Sequence, residues 1–198
     1  RGTADFDPSL SVSNLIAVGM TDIYFTKSDT AGNLIWAKSI GSFDFEFPKS
    51  IEVDSLGNVF VIGMFNNTCD FDPSNSSYFV TSSGANDCFI AKYDDTGNFL
   101  WVKTFGAINN DYISSSCLDR MGNIYLTGNF DKTIDFDFGI NSYQANADSG
   151  NVFLLKLNNN GDFQWLNTVG GISLNGGSMA NAGDIKINSL NEIVFSGI

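Results

Sequence analysis

TCDFDP, residues 68–73, is written twice more in this chain, as TADFDP at 3–8 and as TIDFDF at 133–138. The spacing is 65 residues both times. Self-similarity at a fixed period of this size marks a repeat architecture, in which each unit buries its apolar faces against its neighbours.

Other stretches keep the same period. GNLIW at 32–36 returns as GNFLW at 97–101 and GDFQW at 161–165. GNVFVIG at 57–63 returns as GNIYLTG at 122–128 and, more loosely, as NEIVFSG at 191–197. DCFIAKYD at 87–94 matches TDIYFTKSD at 21–29 and NVFLLKLN at 151–158. The unit is 64 to 65 residues, with a few extra in the Gly/Asn-rich stretch 170–183 of the last copy.

Within the copy at 50–106 the pattern predicts four strands, at 50–54, 58–65, 87–93 and 99–105. Each is rich in β-branched and aromatic residues and bounded by Gly, Asn and Asp. No stretch has sustained helical periodicity with caps. The turns DSLGN (54–58), DDTGN (94–98) and DRMGN (119–123) share the form D-x-x-G-N. Asp folds its carboxylate onto the backbone and Gly takes a positive φ, which predicts tight turns between antiparallel neighbours. SDTAGN at 28–33 and NNNGD at 158–162 are variants.

Alternation within the strands is weak: Cys88, Phe89, Ile90 and Ala91 are all apolar, as are Val152 to Leu155. Such strands are buried on both faces. A four-stranded antiparallel sheet covered on both faces by copies of itself is a propeller blade. The expected fold is therefore all-β, a segment of a β-propeller. A β-solenoid would have shorter rungs.

Composition narrows function. The 198 residues hold 10 Lys and Arg against 22 Asp and Glu, a net charge of −12, which repels nucleic acid and anionic membrane. There is no His, so the commonest general base and metal ligand is missing. No apolar run is long enough to span a bilayer. The chain begins with Arg1 and starts and stops inside a repeat, so it is expected to be a piece of a longer protein. Cys69, Cys88 and Cys117 are odd in number and so not all paired internally. Cys69 and Cys88 fall where other copies carry Ala4, Ile134, Ile23 and Val152, and read as apolar fillers. Cys117 aligns with Glu52 and Lys186 and is expected to be more exposed.

The combination D-x-F-I-A-K-Y-D, G-N-x-L-W-x-K, an acid near the start of the next unit (Glu46, Asp111), I-x-V-D-x-x-G-N-V-x-V-x-G and T-x-D-F-D-P resembles the seven-bladed β-propeller repeat (SBBP) family. Those repeats occur in large secreted bacterial proteins, often surface proteins exported by type IX secretion. The resemblance implies four-stranded antiparallel blades, about three blades' worth in this chain. Residues 1–41 would form the outer half of one blade, 42–106 and 107–170 complete blades, and 171–198 the inner half of another. A ring needs about four blades or more, so further blades of the same longer chain, or of another copy, are expected partners. The third unit departs from the pattern at Gln164 and Asn167, and its 170–183 stretch lacks the acid.

In an extended DFD segment the two acids share one face and the Phe takes the other. Asp5, Asp7, Asp70, Asp72, Asp135 and Asp137 are thus candidate calcium ligands, or else caps of backbone amides. Phe71 is expected to pin this segment, an insertion between the second and third strands, to the blade. Trp36, Trp101 and Trp165 recur on the outer strand and read as blade-to-blade packing rather than a sugar platform. The recurring Lys27, Lys92 and Lys156 are expected to pair with neighbouring acids. Asp29-Thr30-Ala31 and Asp54-Ser55-Leu56 look like bacterial O-glycan acceptors, at Thr30 and Ser55. Asn66-Asn67-Thr68 and Asn75-Ser76-Ser77 match N-glycan acceptors.

The expected function is a non-catalytic, secreted or cell-surface scaffold or adhesive module for a protein or glycan. No cofactor other than calcium is implied. The alternatives are a polysaccharide-active enzyme with an axial site and a structural filament or spacer subunit.

Overall fold

A computed structural model describes residues 2–170 and 181–198 of the chain. The expectations placed on 171–180 lie outside these residues. Among the described residues every regular element is a β-strand. Two complete four-stranded antiparallel sheets dominate. The first is β5 (Glu46–Val53), β6 (Val59–Asp70), β7 (Phe79–Tyr93) and β8 (Phe99–Phe105), paired in chain order. The second is β9 (Tyr112–Leu118), β10 (Ile124–Asp135), β11 (Gln144–Leu157) and β12 (Phe163–Val169). Two-stranded sheets flank them: β3 (Ile23–Ser28) with β4 (Leu34–Ile40), and β13 (Ala182–Ile187) with β14 (Ile193–Gly197). A small pair, β1 (Thr3–Asp5) with β2 (Asn14–Ile16), precedes them. The fold is all-β, a partial β-propeller.

Stacking explains the doubly apolar strands. Phe60, Ile62, Cys88 and Ile90 pack with Ile124, Leu126, Phe153 and Leu155 of the next sheet. Their alternates Val59, Val61, Phe89 and Ala91 pack the other way, onto Ile23, Phe25 and Ile40. Tyr125 and Leu154 repeat the arrangement one unit later, against Ile185. Successive residues of one strand thus serve two different cores.

Every D-x-x-G-N turn closes in the same way. In 54–58, Asp54 Oδ1 accepts the amides of Leu56 (2.9 Å) and Asn58 (3.0 Å), while Asn58 Nδ2 donates to Oδ2 (2.8 Å). Gly57 sits at φ 84°, in the left-handed region that L side chains avoid. The turns at 94–98 and 119–123 repeat this set.

The DFD segments differ from the expected insertion. They continue the two central strands, which run past a bulge: β6 and β7 slip register between Asn66 and Thr68, and β10 and β11 between Phe130 and Lys132. At the first slip β6 leaves residue 67 unpaired against residues 82–85 of β7, so the longer strand bulges, and beside the two slips Asn67 (φ 58°) and Lys132 (φ 66°) take the left-handed conformation. The bulge re-aims the ribbon so that Phe71 and Phe136 turn into the core, fully buried. Phe71 packs on Phe65 and Phe89, and Tyr93 Oη donates to its carbonyl at 2.9 Å.

Candidate functional site

The complete sheets approach one another through their first strands. Ser50 Oγ of β5 and Ser116 Oγ of β9 are 2.7 Å apart, and Ser115 Oγ of β9 donates to Asp184 Oδ1 of β13. Where β5, β9 and β13 end in their turns, a groove of about 450 Å³ opens, lined by Glu52, Asp54, Ser116, Cys117, Asp119, Arg120 and Lys186 among others. Its floor is equivalent in the three repeats, yet carries an acid (Glu52), a thiol (Cys117) and a cation (Lys186).

Glu52 is half-buried and accepts Ser116 Oγ at 2.8 Å. Burial raises its carboxyl above the ordinary value, against the opposing pull of Ser116 and Lys186. Cys117 is buried, contrary to the expected exposure, because Tyr125, Leu154 and Ile185 close around it. Burial, helped by the charge of Glu52, pushes its thiol up to about 11, so it is not a nucleophile at neutral pH. All three cysteines are free thiols in buried positions. The groove therefore offers hydrogen bonds and both signs of charge, and its thiol is not activated.

The DFD acids lie apart from this groove, at the far ends of the central ribbons. Asp70 Oδ1 accepts the amides of Asp72 (3.1 Å) and Tyr78 (2.8 Å), and Asp72 Oδ1 that of Ser74 (2.9 Å). Asp5 with Asp7, and Asp135 with Asp137, form the same caps. One oxygen of each acid is thus committed to the backbone. Among the described residues, no group of three or more His, Cys, Asp or Glu gathers to hold a metal.

The Trp and Lys repeats meet in one place. Trp36 and Lys38 lie over Gly97 of the next sheet's turn, and Trp101 and Lys103 over Gly161. Lys27 Nζ donates to the carbonyl of Asp95 (2.8 Å), and Lys92 Nζ to the equivalent carbonyl of Asn159 (3.2 Å). Lys92 also reaches Asp54 at 3.8 Å, with both side chains nearly buried. The expected acid partner is present for Lys92, while Lys27 is held by a turn carbonyl and Lys156 lies over the Tyr125 ring at 5.1 Å. Thr30 and Ser55 are exposed in their turns.

No family model matches the chain. An uncharacterized WD repeat-containing protein, L264, of Acanthamoeba polyphaga mimivirus is 26% identical over 165 residues, 69% of this chain and 12% of that protein. Regulatory protein FlaEY of Caulobacter vibrioides is 30% identical over 110 residues, 56% of this chain and 12% of that protein. The match thus spans 12% of the length of either relative. WD repeats build propellers, and the likeness agrees with the propeller-like repeat described above.

Proposed function

We propose that the chain is a non-catalytic β-propeller repeat module that displays a binding surface, on a secreted or surface-anchored bacterial protein of the SBBP type. The observation that carries this reading is the groove at the ends of β5, β9 and β13. Equivalent positions on a constant frame hold Glu52, Cys117 and Lys186, so the frame is repeated while the recognition chemistry varies. The similarity to a WD repeat protein supports a scaffold role. The sequence has no His, and burial raises the Cys117 thiol, so the groove has neither an imidazole base nor a thiolate nucleophile.

The groove suits a polar protein or glycan partner. A glycan array and a pulldown from the producing bacterium's envelope, run with the intact chain and with Glu52→Ala/Lys186→Ala, test this. Binding that the double substitution abolishes supports the reading. Turnover of a polysaccharide would replace it with the enzyme reading, and ligand-free, concentration-dependent polymers with the filament reading.

The partners include further blades. A groove of about 440 Å³ lined by Ile23, Phe25, Ile51 and Val61 is open beside β3 and β5. One repeat later, β5 and β6 cover the matching face of β9. The inner strands of another repeat, from a longer chain or a second copy, fit this place. Calcium at the DFD turns and glycans on Thr30 and Ser55 are separate proposals. The first rests on the paired carboxylates, the second on the exposed acceptors, and native intact-mass measurement tests the second.

A further inference from the structure

Two junctions between neighbouring sheets bury carboxyl groups that neither the turns nor the groove uses. Asp87, at the start of the core half of β7, and Asp111, just before β9, are 2% and 0% exposed. One unit earlier, Asp22 and Glu46 hold the equivalent positions, and Glu46 is 2% exposed. The same backbone joins each pair. A methyl placed on Gly106 would lie 2.4 Å from Asp87 Oδ1, while the next amide, of Ala107, donates to Asp111 Oδ2 at 2.7 Å. At the first junction Gly41 lies against the Asp22 carboxyl, and the next residue, Ser42, donates its hydroxyl to Glu46 Oε1.

The oxygens can be followed one by one. At the second junction Asp111 Oδ1 accepts the Asp131 amide (3.3 Å), Oδ2 that of Ala107, and Asp87 Oδ2 that of Ser83 (2.8 Å). Asp87 Oδ1 is buried with no partner. At the first, Asp22 Oδ2 and Oδ1 accept the amides of Val18 (2.8 Å) and Gly19 (3.1 Å), and Glu46 Oε1 accepts Ser42. Glu46 Oε2 is buried with no partner. Each junction thus leaves one orphan oxygen beside three satisfied ones. A hard cation wants six to eight oxygens, which this amide-lined arrangement does not offer. A proton needs a single oxygen.

We propose that each of these two junctions holds one proton on its buried carboxyls, on Glu46 at the first and on Asp87 and Asp111 at the second, and that losing it weakens the contact between neighbouring blades, which makes the propeller's stacking sensitive to pH. Like charges brought together out of water do not both ionise readily. In agreement, burial, with smaller contributions from the charges of Asp87 and Asp131, pushes Asp111 up to about 6. Burial also raises Asp87, and burial with Asp22 and Asp44 raises Glu46.

The facing groups do not reverse this. The second junction faces Asp131, itself 3.9 Å from Lys132, and the Cys88 thiol, which burial keeps protonated. The first faces Asp22, Asp44 and the Cys69 thiol, raised in the same way. The third junction differs: Asn151 stands in place of the acid, against Gly170.

These raised carboxyls bind protons more tightly when folded. Their stabilisation is complete below the unfolded value of 3.8 for Asp and is lost as pH rises through about 6. The melting temperature of the intact chain is expected to fall by several degrees between pH 4.5 and 7.5. In Glu46→Gln/Asp111→Asn the fall shrinks by at least half, and by more than in a Glu52→Gln control. Calorimetry of the unsubstituted chain in buffers of different ionisation enthalpy gives a readout that needs no variant: unfolding at pH 5.5 releases protons. A flat melting profile, proton uptake on unfolding at pH 5.5, or a folded double variant with an undiminished slope overturns the proposal.

Discussion

The indole Nε1 of Trp36 donates to the carbonyl of Asp95 at 3.1 Å, across the boundary between β4 and the turn that joins β7 to β8. The same ring lies over Gly97, and one unit on Trp101 lies over Gly161. A flat aromatic face meets a residue without a side chain, so the turn of each blade seats the tryptophan of the one before. Trp101 is half-buried and also packs edge-on against Phe60, with ring centroids 6.1 Å apart.

Truncation of Trp101 to Ala is expected to cost about 2–3 kcal/mol, below the range for a fully buried aromatic because one face stays wet. Gly161→Ala should destabilise by at least about 1 kcal/mol, since φ is 78° and the added methyl would lie 3.0 Å from Trp101. Denaturant unfolding measures both. A loss under about 0.5 kcal/mol in both variants would remove the blade-to-blade role.

Gly63 and Gly128 sit mid-strand, where glycine ordinarily weakens a sheet. Here the first strand of each blade slips register, between Pro48 and Ser50 and between Thr127 and Gly128 in the paired strand. A methyl on Gly128 would lie 1.9 Å from the Tyr112 carbonyl, and one on Gly63 2.2 Å from that of Phe47. Both obstacles are backbone and cannot swing away. Gly128→Ala is expected to cost about 3 kcal/mol or prevent folding, as read by circular dichroism and thermal melting. A variant that melts with the parent would refute the close approach.

Acid should act on the turns in the opposite sense to the junction carboxyls. Burial works against ionisation of Asp94, but the amides and side chains of Asn98 and Thr96 outweigh it and draw the carboxyl down to about 2. A depressed carboxyl contributes stability that is present above 3.8 and lost as pH falls toward 2. Asp119, Asp54 and Asp29 are lowered too, each with Asn hydrogen bonds prevailing over any burial. Together with the junctions, this places the stability maximum near pH 4. Asp94→Asn should flatten the limb between pH 4 and 2 while leaving the neutral limb in place. A maximum above pH 7 would contradict the junctions, and stability undiminished between pH 4 and 2 would contradict the turns.

The caps of the DFD turns have their own test. Asp70→Ala removes two amide bonds and should cost about 1–2 kcal/mol in EDTA as well as in calcium. If calcium binds there as well, it raises the melting temperature of the intact chain and not of Asp70→Ala/Asp72→Ala. No calcium effect on the intact chain dismisses the metal.

The fold class was legible because turns and period are written in residue identity: Gly57, Gly97 and Gly122 announce positive φ, and Trp36, Trp101 and Trp165 mark the beat. The extension of β6 and β7 was not. Its register slip, like that of β10 and β11, comes with a left-handed residue, Asn67 in β6 and Lys132 in β10, and a left-handed lysine carries no compositional sign. Burial of Cys117 was hidden because its equivalents Glu52 and Lys186 are charged, and charge at two copies suggested water at the third. Glu46 and Asp111 stood out as recurring acids, yet only three dimensions reveal that they point inward with an orphan oxygen nearby. Lys27 found a carbonyl rather than a carboxylate because the turn it meets presents its backbone.

The seat of Trp36 on Gly97, and of Trp101 on Gly161, runs in one direction along the chain: each blade grips its successor. Under mechanical pull such a row of latches would open in sequence, one catch per repeat, giving a sawtooth of separate yielding events rather than a single rupture.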